Sequence, residues 1–393
     1  MSCYHCGIPA AFSNRAAARI GAPAWRQAFR CAICLVPLFC LAPASFLGAA
    51  PCVPPDSMKA TLLHNPAASA FKDLGVWFAD QKQYACAADA FATSIQMQPD
   101  QPDAGNVDFM FGLSLYLSGD PKGAVAALQE AERHGFRALK LHLILAAASD
   151  QLHWTGSAEA EWRAALAIDG ESPEALLGLS NDLLLDNDYA AAIALLDNPV
   201  IAGQRTAAQS LNLGLAYAKS GKLEDAARVL RDGLNTSPDS LPLANELADA
   251  LVELGRFPEA IAALDLAFAQ HPTDQDTAVH YLQTLMAGSP EKAPELGRKL
   301  LAAFPQNWEL LYLNGVLETK DGQLQQARAH LEQSQALHPD FALSHDALGF
   351  VLARLNDLAG ARKQWETAIA LGDNDPELQQ NLAKVMRMLG ETK

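Results

Sequence analysis

The chain has 393 residues, of which 50% are hydrophobic, 7% aromatic and 19% charged, and its 29 Lys and Arg stand against 45 Asp and Glu for a net charge of −16. An apolar fraction of that size can bury a large core, which excludes a disordered chain. The acidic excess, with no cluster of Lys and Arg, excludes DNA or RNA as a partner, because phosphate binding is driven by basic residues that release counterions.

The first element is an export segment. Arg15, Arg19, Arg26 and Arg30 lie in an opening stretch without an acidic residue, residues 31–55 carry no charge, and residues 32–47 are the apolar heart. A basic region, an apolar run and then small residues is the layout of a secretory signal. Cleavage candidates are the bonds after Ala44 and Ala49, and Pro51 should block cleavage after Ala50. Two readings of residues 1–50 stand: a removed signal peptide, or an uncleaved anchor held by the preceding arginines. Both place the remainder outside the cytoplasm, as a periplasmic, secreted or membrane-anchored protein, and residues 51–67 read as a linker.

Of seven cysteines, Cys3 with Cys6 and Cys31 with Cys34 form two CxxC pairs. Four such thiolates suit zinc in isolation, but the second pair opens the apolar run, so no metal is expected. Removal of the signal leaves Cys52 and Cys86. Either they form a disulfide in an oxidising compartment, or Cys86 is a small packed residue and Cys52 a free thiol.

Beyond Pro66 the chain repeats itself every 34 residues. Ala124, Ala158, Ala192, Ala226 and Ala260 share one column, which continues at Ala327 and Ala361 and reaches back to Ala87 across a three-residue insertion. A second column holds Gly75, Gly112, Gly214, Gly315 and Gly349, and a third the bulky Phe91, Leu128, Trp162, Leu230, Leu264, Leu331 and Trp365. A fourth, Gly119, Asn187, Gly221, Gly255, Gly322 and Asn356, contains residues that tolerate the left-handed conformation ending a helix. Each period therefore predicts two helices with apolar residues at i, i+3 and i+4, separated by a stop. Ser172 and Asp375, each followed by Pro and Glu, are expected N-caps. Strand signals are absent.

These columns resemble the tetratricopeptide repeat family, with Leu213, Gly214, Tyr217, Ala226, Leu230 and Pro238 matching its signature in one period and Leu348, Gly349, Ala361, Trp365 and Ala368 in another. The resemblance implies an all-α solenoid, a right-handed superhelix of antiparallel helix pairs. About nine units are expected, at residues 68–101, 105–138, 139–172, 173–206, 207–240, 241–274, 275–307, 308–341 and 342–375, with a capping helix at 376–390. The unit at 275–307 is degenerate, being one residue short, with Leu282 in the small column and Pro290 and Pro294 around its second helix. A local change of superhelical pitch and a hinge are expected there.

No constellation for catalysis is present: HExxH, GxSxG, GxxxxGK[ST] and a strand-following GxGxxG are all missing. His142 and His153 read as ordinary histidines, and Asp186, Asp188, Asp274 and Asp276 as caps or turn residues. Neither enzymatic activity nor a cofactor is expected. The resemblance instead implies a concave groove lined by the first helices, with candidate contacts Lys72, Phe109, Leu113, Tyr116, Leu143, Asn181, Leu211, Leu215, Asn245, Asp249, Gln283, Tyr312 and Phe350. The competing reading of the apolar members is packing between neighbouring helices. An apolar groove with an acidic stretch suits a peptide carrying some positive charge. The basic carboxylate clamp of some family members is not matched, since Val76, Phe109 and Met110 stand where it needs polar or basic residues. The expected function is a non-catalytic scaffold for a protein or peptide partner. The alternative is an assembly or accessory subunit of a cell-envelope or polysaccharide-export complex, or of an enzyme encoded elsewhere, held by the convex face or the ends.

Overall fold

The computed structural model describes residues 52–64 and 66–390, so the expected export segment, with its CxxC pairs and cleavage bonds, lies outside the described residues. Among the described residues there are twenty α-helices and no strand. They fall into two compact units that divide between Lys222 and Leu223.

The first compact unit contains α1 (Asp56–His64), α2 (Ala68–Asp80), α3 (Tyr84–Met97), α4 (Ala104–Ser118), α5 (Pro121–Arg133), α6 (Leu139–Gln151), α7 (Thr155–Ile168), α8 (Pro173–Leu185), α9 (Tyr189–Leu196) and α10 (Ala207–Lys219). Helices adjacent in sequence pack as antiparallel pairs, and α2, α4, α6, α8 and α10 also touch one another in turn. The first helices of the pairs thus form one layer and the second helices another.

The second compact unit contains α11 (Leu223–Thr236), α12 (Leu241–Glu253), α13 (Phe257–Gln270), α14 (Gln275–Gly288), α15 (Ala293–Ala303), α16 (Trp308–Lys320), α17 (Leu324–Leu337), α18 (Ala342–Arg354), α19 (Leu358–Ala370) and α20 (Pro376–Met388). Here α12, α14, α16 and α18 make the layer of touching first helices. The last helix, α20, buries Leu378 and Val385 and leaves Gln379 and Gln380 exposed.

Three local causes set this pattern. In pairs that carry the glycine, the small residue of the first helix lies under the bulky residue of the second: a Cβ on Gly112 would come within 2.6 Å of Leu128, and one on Gly315 within 2.6 Å of Leu331. Most turns between paired helices then use a left-handed residue, which Gly119 (φ 91°), Asn187 (φ 61°) and Asn356 (φ 66°) supply, while the connection between α14 and α15 in the degenerate repeat has none. Lys82 (φ 58°) and His153 (φ 57°) take the same position, so His153 is a turn residue. Finally, side chains fix the helix starts: Ser172 accepts from Ala175 N, Asp188 from Ala191 N and Asp375 from Glu377 N, and Thr206 with Gln209 forms a capping box.

Two segments differ from the expected organisation. Residues 51–67, read as a linker, hold α1, whose Met58 and Leu62, four residues apart on one helical face, pack on the cluster around Phe78 and Phe91. Cys52 and Cys86 are joined, with Sγ–Sγ 2.00 Å and Cα–Cα 5.4 Å, so the tail before α1 is tied to α3 across 34 residues of sequence. In the degenerate repeat Leu282 is fully buried, and α15 has only 11 residues, two or three fewer than most of the other second helices.

Candidate functional site

The candidate groove residues lie on the first helices and divide by burial. Phe109, Tyr312 and Phe350 expose only 7%, 7% and 5% of their surfaces, and each belongs to an apolar cluster. Phe109 stacks on Phe136 at 4.5 Å between centroids, and Tyr312 meets Phe341 edge-on at 5.0 Å. Both covering rings come from connectors. These three aromatics are seam residues, and the reading that they offer open faces to a partner is corrected accordingly.

The remaining candidates stay partly accessible. In the first compact unit Leu113, Tyr116, Leu143, Asn181, Leu211 and Leu215 are half-buried. Lys72 is tied to Asp103 at 2.8 Å, a pairing that holds the ammonium in its charged form. Asn181 accepts from Asn212 Nδ2 at 2.7 Å, and the same amide reaches Ser180 Oγ at 2.8 Å, linking α8 to α10. In the second compact unit Asn245 donates to Thr277 Oγ1 at 3.2 Å, Asp249 meets His280 at 3.1 Å, and Gln283 is half-buried.

Electrostatics single out two places that the residue pattern does not. In the first compact unit Trp162 of α7 donates from Nε1 to Asp150 Oδ2 at 3.2 Å, while its ring packs so closely on α8 that a Cβ at Gly178 would lie 2.3 Å from it. Burial raises the Asp150 carboxyl to about 6. Asp182 of α8 exposes 6% of its surface and its Oδ2 has no hydrogen-bond partner. Burial raises it to about 7, with Asp150, Asp186 and Glu159 adding repulsion. Tyr116 sits 34 residues before Asp150 in the same column, accepts from Gln151 Nε2 at 3.2 Å, and is raised by burial and by Asp150. In the second compact unit burial raises Glu309 and Asp276, and Asp276 adds to the effect on Glu309. The column that picks Tyr116 also picks Asp150. Asp182, one residue past Asn181, escapes the repeat pattern.

A cavity of about 340 Å³ opens among α15, α16 and α17, lined in part by Arg298, Asn314, Glu318 and His330, with His330 Nδ1 2.9 Å from Glu318. Among the described residues no group of three or more His, Cys, Asp or Glu is placed to hold a metal ion, and no helix is long and apolar enough to cross a membrane. Asp188 and Asp274 cap α9 and α14, as expected of connector carboxylates.

Paired helices of this length, closed by left-handed turns and packed small against large, define a helical repeat array. Residues 217–286 and 312–377 match family models described as tetratricopeptide repeat, and the chain carries tetratricopeptide repeats in both segments. A TPR repeat-containing protein of Pseudomonas aeruginosa is 32% identical over 163 residues, covering 39% of this chain and 27% of that protein. A probable biofilm formation methyltransferase of Pseudomonas putida is 33% identical over 86 residues, covering 22% of this chain and 20% of that protein. The chain thus spans no more than 27% of the length of these two relatives. Among solved structures, the type IV pilus biogenesis factor PilW is similar at 22% identity and a TM-score of 0.43, covering 52% of this chain and 96% of that one. YrrB, a TPR protein with an unusual peptide-binding site, is similar at 16% identity and a TM-score of 0.41, covering 48% and 96%.

Proposed function

We propose that this chain is an exported, non-catalytic scaffold that holds a protein or peptide partner along the layer of first helices. The observation that carries this reading is the run of touching helices α4, α6, α8 and α10, on which Leu113, Tyr116, Leu143, Leu211 and Leu215 remain half-buried. A partner side chain that finishes burying them gains apolar contact without the array having to rearrange. The Cys52–Cys86 bond supports export, since disulfides persist in oxidising compartments.

The test is capture from the native cell-envelope fraction on immobilised chain, comparing the wild type with a Leu113→Ala, Tyr116→Ala, Leu215→Ala triple variant. Phe109 is left intact because its burial would turn its loss into a packing defect. Loss of the captured partner with an unchanged helical far-UV CD spectrum is expected. Undiminished capture by the triple variant, together with loss on replacing Arg298 by Glu, would move the binding face to the second helices.

A further inference from the structure

We propose that Tyr116, Asp150 and Asp182 form a seat for one cationic side chain, an arginine or lysine, of the partner. This rests on the groove reading above and sharpens it to a chemistry. Asp182 is more than nine-tenths buried, and its Oδ2 finds no donor. A buried carboxylate oxygen in that state is costly unless a proton or a cation satisfies it. Every charge that acts on Asp182 is negative: Asp150 of α6, Asp186 just past the end of its own helix, and Glu159 of α7. Glu159 is already paired with Arg163 at 2.6 Å, whereas Asp150 receives only the Trp162 indole N–H. The chain therefore brings acids together on adjacent first helices, and no base among the described residues acts on Asp182.

The geometry favours an organic cation over a metal ion. Among the described residues no cluster of three or more His, Cys, Asp or Glu is placed for coordination. A guanidinium or ammonium needs less, namely one or two carboxylate oxygens and an apolar wall for its stem. Tyr116, half-buried and within the influence of Asp150, adds an aromatic ring, and such rings attract cations within about 6 Å of the centroid. Its hydroxyl is held by Gln151. The cation would exchange the proton that burial keeps on Asp182 near neutral pH for an ion pair.

The probe is a fluorescein-labelled hexa-arginine peptide, with hexa-glutamate as control, titrated into the full chain at about 0.15 M salt, where exposed charges are screened beyond about 8 Å. Asp182→Asn and Asp150→Asn should each weaken hexa-arginine binding about tenfold, corresponding to about 1.4 kcal/mol. The charge-matched exposed variant Asp239→Asn should weaken it less than about twofold. Binding to wild type should tighten between about pH 6 and about pH 8, as Asp182 ionises, and Asp182→Asn should lose that dependence. Equal weakening by Asp182→Asn and Asp239→Asn would overturn the seat, because the peptide would then be reading net charge alone. Competition by calcium chloride that disappears in Asp182→Asn would overturn it in favour of an inorganic cation. If the triple groove variant loses its partner while Asp182→Asn leaves hexa-arginine binding unchanged, the groove stands and the seat falls; if neither variant has an effect, both fall.

Discussion

Replacing Asp182 by Asn keeps the side-chain shape and removes a carboxyl group that the protein buries against other acids. In the unfolded chain this carboxyl titrates near 3.8, and in the folded chain at about 7. Between those values the native state binds a proton that the unfolded state has released, so stability falls as pH rises through the window. Each tenfold gain in proton affinity on folding corresponds to about 1.4 kcal/mol, so the full effect above neutral pH reaches about 4 kcal/mol. Asparagine does not titrate, and its amide matches the protonated acid. Wild type and Asp182→Asn should therefore unfold at similar urea concentrations near about pH 4 and diverge as the pH rises, the variant becoming more stable by about 2 to 4 kcal/mol near about pH 8. Asp150, raised to about 6 by burial, gives both proteins a further slope of the same sign. The assay is urea unfolding followed by far-UV CD at several pH values. Parallel wild-type and variant profiles, or a variant less stable at high pH, would refute the argument, because Asp182 would then be ionised and compensated in the fold.

The Cys52–Cys86 bond spans 34 residues, and chain-entropy reasoning puts the stabilisation from a closed loop of that size at about 3 to 4 kcal/mol. Cys52→Ser should lower the melting temperature and make proteolysis begin around α1 and α2, and the oxidised wild type should show no titratable thiol at Cys52 or Cys86 under denaturant. Leu264 is fully buried, so Leu264→Ala should cost about 2 to 5 kcal/mol in urea unfolding. Gly315→Leu should destabilise the α16–α17 pair because even a Cβ there meets Leu331 at 2.6 Å; a neutral result would mean the pair can separate freely. Hydrogen exchange should find amides of residues 287–296 opening faster than those of α16, since Pro290 and Pro294 lack donors and α15 is short; uniform protection would remove the expected hinge.

The helical pairing was legible because its causes are local and recur at every repeat. Gly112 against Leu128, and Gly315 against Leu331, are contacts within one pair, so a close approach leaves a small and a large residue at fixed spacing in the sequence. The turns are only half legible. Gly and Asn mark the left-handed position openly, but Lys82 and His153 also occupy it, and as single residues they can bear the modest cost that hides the position from composition.

The groove was harder to read because a residue's column fixes the helix face it occupies but not what covers that face. Phe109 and Leu113 both lie on α4, yet Phe136, arriving from the connector after α5, shuts the former away and leaves the latter half open. Connectors obey the repeat least, so their side chains decide exposure where the pattern is silent. Asp182 shows the same limit in electrostatic form. It follows Asn181 directly, and the step of about 100° around a helix carries it from a half-buried position into the interior, where acids of neighbouring helices act on it. A net charge of −16 describes the whole chain, whereas the unusual energy of this one carboxyl comes first from its burial and then from the repulsion of Asp150, Asp186 and Glu159. Those acids come from three neighbouring helices, which is why the strongest candidate for partner chemistry lies one residue away from the position the repeat pattern selects.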